Sequence, residues 1–259
     1  MPHNMNNSPI SLPFPHELRE AEFVERPNRF LVRCRLINKN KMIPAGGKEE
    51  PPLVEAHLAD PGRLKELLIP GRTLWLAPAQ KPGRKTGWSV VLCETPDRSG
   101  MISLDSTLPN RLVEKALRAG ILDEFAAWRL LRREHRLGSS RWDFLLEHRE
   151  DGGKQLLLEV KSVTLVVGGV ALFPDAVTER GARHLRELSA LALKDGWDAA
   201  VLFVVQREDA VAFRPAAELD PAFAAALGRA HQAGVKVYCR SCRVTPREIT
   251  LAGSIPVHL

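Results

Sequence analysis

The run "AAVLFVV", residues 199 to 205, holds seven consecutive apolar residues. A strand with one wet face alternates polar and apolar side chains, so an unbroken run must be covered on both faces. The flanking segments supply the cover. "TERGARHLRELSALALKDG" before it reads as an amphipathic helix, with Leu185, Leu188, Leu191 and Leu193 toward a core and Arg183, Arg186 and Glu187 outward. "DPAFAAALGRAHQAG" and "VKVYCRSCRV" after it add a further helix and strand. This alternation predicts an α/β or mixed sheet flanked by helices.

Upstream, "WSVVLCET" and "MISLDS" read as a strand pair and "LPNRLVEKALRAG" as a helix closed by Gly120. "WRLLRREHRL", "RWDFLLEH" and "KQLLLEVKSV" are three further strands joined by short polar turns. Nearer the start, "RFLVRCRLI", "PLVEAHL" and "RTLWLAPA" have strand patterns, the first two separated by the loop "NKNKMIPAGGKEEPP", which is expected from its composition to be mobile. "DPGRLKELLIPG" carries helix signals, with Asp60 as N-cap, Pro61 in the first turn and Gly71 after the end. Short strands and one helix suit a small β barrel of OB type. The basic connector "QKPGRKTG" is taken as the boundary between a domain of residues 1–85 and one of residues 86–259.

Charge sharpens the reading of the first domain. Residues 1–85 hold 14 Lys and Arg against 9 Asp and Glu, a surplus of +5 out of the chain's +6. A concentrated basic surplus favours a polyanion, and nucleic acid is the expected partner. Arg26, Arg29, Arg33, Arg63, Lys65, Arg84 and Lys85 are the candidate DNA contacts. Arg63 and Lys65, beside the expected helix start, either meet a phosphate there or are simply solvated.

Other chemistries find less support. Cys34, Cys93, Cys239 and Cys242 are too few for a disulfide scaffold, and no second Cys or His pair completes a zinc site with "YCRSC". A reducing cytoplasm is expected. The first 20 residues lack a signal-peptide core, and no run reaches the ~18 apolar residues of a membrane span. "PGRKTG" does not satisfy a phosphate-loop pattern, and Ser139, Ser140 and Ser162 have no nucleophile-elbow context. His57 and His184, single histidines in periodic segments, are read as packing or surface residues rather than ligands.

The informative residues are charges inside apolar strands: Asp143 in "RWDFLLEH", and Glu159 and Lys161 in "LLLEVKSV". Alternation puts Glu159 and Lys161 on one face. Pairing through the "REDGGK" turn can bring Asp143 beside Glu159, placing two carboxylates within reach of one hard cation. Two buried acids beside a lysine are costly unless an ion shares them.

An Asp, a hairpin's length, then Glu-x-Lys resembles the PD-(D/E)xK nuclease superfamily. That resemblance implies Asp143 and Glu159 as ligands of Mg²⁺ or Mn²⁺ and Lys161 as the catalytic lysine. It implies Glu114 as a further acid and Gln206 as a polar residue on the next core strand. The phrases "ERPNRFLVRC", "AHLADPGRLKELLIPG", "SLDSTLPNRLVEKAL", "GVALFPDAVTERGARHLREL" and "AVLFVVQR" further resemble the sugar fermentation stimulation protein A family from about residue 20 to residue 258. That family implies an N-terminal OB-like barrel, a C-terminal PD-(D/E)xK-like domain and DNA binding, and the basic surplus of residues 1–85 adds the expectation that this binding is largely without sequence preference. Two functions follow from it, a magnesium-dependent DNA endonuclease and a non-catalytic DNA-binding regulator of sugar (maltose) metabolism genes. Sequence leaves both open.

Overall fold

The computed structural model describes residues 9–14, 16–37, 51–79 and 83–259. The proposed mobile loop therefore lies almost wholly outside the described residues. The chain divides into two units, one built from Pro13–Thr107 with Val244–Ile249, the other chiefly from Leu108–Arg243 and Thr250–Leu259.

Strand β1 (Ser11–Pro13) joins the sheet of the second unit, and β2 (Arg19–Asn28) opens the barrel. In β2 the buried Ala21 and Phe23 alternate with exposed Glu20-side neighbours such as Glu22. The barrel continues through β3 (Leu31–Leu36), β4 (Leu53–Leu58), β5 (Thr73–Pro78), β6 (Trp88–Glu94) and β7 (Met101–Ser103), in the order β4-β3-β2-β5-β6-β7. A parallel pairing of β4 with β6, from Ala56↔Trp88 to Leu58↔Val90, closes β2–β6 into a five-stranded barrel. This is the expected OB architecture. Its interior is filled by Ala21, Phe23, Val32, Cys34, Leu58, Leu74, Leu76 and Val90.

Two expectations for this unit need correction. The boundary falls near residue 107, not 85, because β5 and β6 pair from Leu74↔Cys93 to Pro78↔Trp88 and β6 then pairs with β7. The basic connector is a loop within the barrel. "DPGRLKELLIPG" forms turns rather than a helix. Asp60 caps the Gly62 amide two residues on, at 2.7 Å, and Leu64 takes φ 50°, which no α-helix accommodates. Arg26 holds the segment in that shape, donating to the carbonyls of Asp60, Gly62 and Arg63. Leu64 and Leu67 reach the core without a helix.

The second unit begins with α1 (Leu108–Ala119), which ends as expected at Gly120, φ 67°. After a 3₁₀ turn (Asp123–Phe125) come β8 (Trp128–Leu137), β9 (Ser140–His148) and β10 (Gln155–Val163). The short strands β11 (Val166–Val167) and β12 (Val170–Phe173) pair with β14 (Ala212–Pro215) in a separate three-stranded sheet. The remaining elements are α2 (Glu179–Ala192), β13 (Trp197–Val205), α3 (Pro221–Gln232), β15 (Lys236–Val244) and β16 (Glu248–Ser254).

The main sheet runs β1-β16-β15-β13-β10-β9-β8, with β10, β13 and β15 parallel and β8–β10 an antiparallel meander. The apolar run of β13 is central, as its continuous pattern requires. Helices α2 and α3 cover one sheet face, where Leu185, Leu188 and Phe223 pack on Leu157, Val201, Phe203 and Val205. Asp220 ties both helix starts together: Oδ1 accepts from the Phe223 amide at 2.9 Å and Oδ2 from the Thr178 amide at 2.8 Å. Among the described residues no helix is long and apolar enough to cross a membrane.

Candidate functional site

On β10, Leu157, Glu159, Lys161 and Val163 share the face turned toward α2, so two charged residues interrupt an apolar row. Glu159 is 5% exposed. Its Oε1 accepts from Lys161 Nζ at 2.5 Å and is joined to His184 Nδ1 of α2 at 2.9 Å. Arg180 Nε lies 3.4 Å from His184 Nε2 and can only donate, so Nε2 accepts and Nδ1 carries the proton given to Glu159. Burial pushes the Glu159 carboxyl up, but the bond from His184 and the charge of Lys161 outweigh it and hold the group below its ordinary range. Glu159 Oε2 has no hydrogen-bond partner among the described residues and is not sealed from solvent.

Asp143 lies where the β9–β10 ladder stops. Registered pairs run from Gln155↔Glu147 to Leu158↔Phe144, which puts Asp143 next, opposite Glu159. There its side chain replaces a strand carbonyl: Oδ2 accepts from the Val160 amide at 2.8 Å, and Oδ1 from Asn110 Nδ2 of α1 at 2.6 Å. Burial, then the negative charge of Glu159, pushes the Asp143 carboxyl up to about 6. The sequence therefore tolerates acids in these strands by ending the ladder on a carboxylate and by lending Glu159 two partners.

Asp143, Glu159 and Lys161 are thus brought together; two other expected members are not. Glu114, on α1, pairs with Arg118 at 3.0 Å and Arg133 at 2.7 Å, while Asn110, one turn earlier, reaches Asp143 instead. Gln206 is fully buried on the opposite sheet face, donating to Ser162 Oγ at 2.9 Å, because it falls in the alternation that contains Ser162 rather than Lys161. His184 proves to be a buried partner of Glu159, a role beyond the packing or surface position expected of it. Asn110 carried no signal in sequence, since only the docking of α1 gives it reach.

The donor set fits a hard divalent ion. Two neighbouring carboxylates, one pushed up by burial and by the charge of the other, relax if a cation lies between them. Among the described residues no group of three His, Cys, Asp or Glu is arranged to hold an ion. Mg²⁺ commonly takes only one or two carboxylates, with waters and substrate phosphate completing its shell, so two suffice.

The basic residues named for DNA divide by environment. Arg26 is committed to backbone carbonyls, and Arg33 is paired with Glu25 at 2.7 Å and Glu55 at 3.1 Å. Arg29, Arg63, Lys65, Arg84 and Lys85 are exposed, Arg84 bonding Ser89 Oγ at 2.9 Å. Moving the boundary also redistributes charge. Residues 1–107 hold 15 Lys and Arg against 12 Asp and Glu, and residues 108–259 hold 22 against 19, a surplus of +3 in each. The basic excess is not confined to the barrel, and β8 alone carries Arg129, Arg132, Arg133 and Arg136.

Comparison with known proteins matches this two-unit division. The family model described as "SfsA N-terminal OB domain" covers residues 24–104, and that described as "Sugar fermentation stimulation protein RE domain" covers residues 107–248. The sugar fermentation stimulation protein homolog of Moorella thermoacetica is 48% identical over 95% of this chain and 98% of its own. That of Shouchella clausii is 43% identical over 93% and 97%. The solved structure of Pyrococcus furiosus SfsA in complex with Ca²⁺ superposes with a TM-score of 0.81 at 29% identity, covering 97% of this chain and all of that one. With both halves matched and near full-length relatives above 40% identity, the chain belongs to the sugar fermentation stimulation protein family.

Proposed function

We propose that the chain binds DNA and hydrolyses its phosphodiester bonds at the Asp143–Glu159–Lys161 site with a divalent cation. The observation that carries this reading is the placement of Asp143 opposite Glu159 at the end of the ladder, with Asp143 pushed up to about 6 by burial and by its neighbour. The Ca²⁺ of the Pyrococcus furiosus relative supports it, since calcium takes the same hard oxygen ligands.

Asp143 and Glu159 would hold Mg²⁺ or Mn²⁺, which would supply Lewis acidity toward a phosphoryl oxygen. Asn110 and the Val160 amide fix the Asp143 carboxylate, and His184 fixes Glu159, so neither acid needs to reorganise when substrate arrives. Lys161, 15% exposed at its side chain, can face the scissile phosphate while keeping its bond to Glu159, and there it stabilises charge that grows in the transition state. Its ammonium has three donors, and one bond to Glu159 leaves two for the phosphate.

Two observations favour the second reading, a DNA-binding regulator that holds the ion without cutting: Lys161 is held by Glu159, and Glu114 is engaged by arginines, which leaves two acids at the site among the described residues. Incubation with duplex, single-stranded and branched DNA, with and without Mg²⁺ or Mn²⁺, separates the readings. Cleavage that needs the ion and is lost in Lys161→Ala supports hydrolysis, and binding without cleavage supports the regulator.

A further inference from the structure

A cavity of about 240 Å³ lies between the β8–β9 turn and the first turns of α2. Arg136 and Arg141 enter it from the hairpin, Arg180 and Arg183 from the helix, and Ser140 and His184 complete its polar wall. Among the described residues no Asp or Glu lines it. Arg136 and Arg141 are directly opposed in the β8–β9 register, an arrangement of like charges that destabilises a strand pair unless an anion lies between them. The nearest carboxylates compensate poorly: Glu134 lies 3.7 Å from Arg141 and Glu187 3.6 Å from Arg183. Ser140 is 6% exposed, and its Oγ has no hydrogen-bond partner. A buried hydroxyl seldom goes unpaired, and Ser140, on the wall of this cavity, has hydrogen-bonding capacity to spare for an occupant.

We propose that this cavity is a binding pocket for a phosphate group, separate from the Asp143–Glu159 pair and joined to it through His184. The guanidinium groups offer planar forks that suit phosphate oxygens, and Ser140 Oγ adds a neutral donor. Four cations around one cavity match a phosphomonoester, near −2 at neutral pH, better than a diester at −1. A strand's terminal phosphate is therefore the favoured occupant. The identity of that owner, though not the pocket itself, rests on the nucleic-acid reading above. An anion there would also draw on Arg180, whose Nε faces His184, so occupancy is relayed to the histidine that steadies Glu159.

The test is titration of inorganic phosphate into the full chain without metal, comparing wild type with Arg136→Gln/Arg183→Gln, which leaves Arg180 and His184 in place. Wild type should bind saturably, and the double variant about tenfold or more weakly, the loss expected for charged hydrogen bonds. Arg136→Gln alone should leave the phosphate-free protein at least as stable as wild type, because it removes the opposition to Arg141, so a folding defect cannot imitate the result. Absent phosphate binding, or binding unchanged by the double substitution, overturns the pocket. Duplexes with and without a terminal 5′-phosphate then identify the owner. A preference for the phosphorylated end that vanishes in the double variant supports the terminal phosphate. Equal weakening on both ends retains the phosphate assignment and gives the pocket to the backbone. DNA affinity untouched on either duplex overturns the assignment to nucleic acid. None of these readouts requires cleavage, so the pocket and the hydrolytic site stand or fall separately.

Discussion

His184 Nδ1 lies 2.9 Å from Glu159 Oε1, and this contact from α2 is one of only two that the buried carboxylate receives among the described residues. His184→Phe keeps a ring in the core but removes the donor, and should cost about 2 kcal/mol of stability at neutral pH. Because the folded-state carboxyl is held below its ordinary range, its stabilising contribution is present above the unfolded pKa and is lost as pH falls through the folded value. The deficit of the variant should therefore shrink in acid. Urea unfolding at several pH values measures it, and a penalty equal at pH 3 and pH 7 would point to packing alone.

Asp143 behaves in the opposite sense. Its folded-state carboxyl is raised to about 6, so in metal-free protein stability should fall as pH rises from about 4 to about 6 and stay low above that. A shift of roughly two units corresponds to at most about 3 kcal/mol. Asp143→Asn should remove this fall and raise the melting temperature at pH 7.5, and Mg²⁺ or Mn²⁺ should stabilise wild type but not the variant. A wild-type protein whose stability ignores the ion at that pH would count against a carboxylate pair awaiting one.

Arg26 was grouped by sequence with residues that touch DNA, yet its guanidinium is spent on carbonyls of Arg29, Asp60, Gly62 and Arg63. Arg26→Ala should lower barrel stability by about 2 kcal/mol, several degrees in melting temperature. Lys65→Ala, at an exposed position, should leave the melting temperature alone and weaken DNA binding, with a smaller salt slope. Differential scanning calorimetry beside binding isotherms at several salt concentrations distinguishes the two roles.

Lys161→Ala should depress turnover about a hundredfold, on the order of 3 kcal/mol of barrier, while changing DNA affinity little. Extra Mn²⁺ should not restore it, because the lost group is not a ligand. Single-turnover kinetics at saturating enzyme separate this from weakened binding.

Sequence revealed the elements whose burial shows in the residue pattern itself. The apolar frame of β10, the continuous run of β13 and Leu185, Leu188 and Leu191 of α2 were readable because each is buried along its own period, whereas Leu193, expected on the same face, is exposed at the helix C-cap. Strand β2 was missed because three of its five exposed positions are charged, Pro27 is a fourth, and it follows a polar, proline-bearing start. "DPGRLKELLIPG" misled because its cap, proline and glycine signals are local, while Arg26, 34 residues from Asp60, decides its shape. Asp143, Glu159 and Lys161 were legible as charges in apolar strands. Asn110 and His184 were not, since each reaches the acids from a helix whose docking no local pattern records.

Whether Asp143 and Glu159 hold a divalent ion for hydrolysis of DNA is decided by cleavage assays of the wild type and of Asp143→Asn in Mg²⁺, in Mn²⁺ and in chelator. Wild type should cleave only with an ion, and Asp143→Asn should not cleave although it still binds DNA. Wild-type cleavage that persists in chelator, undiminished cleavage by Asp143→Asn, or no cleavage of duplex, single-stranded or branched DNA with either ion would contradict that role for the pair.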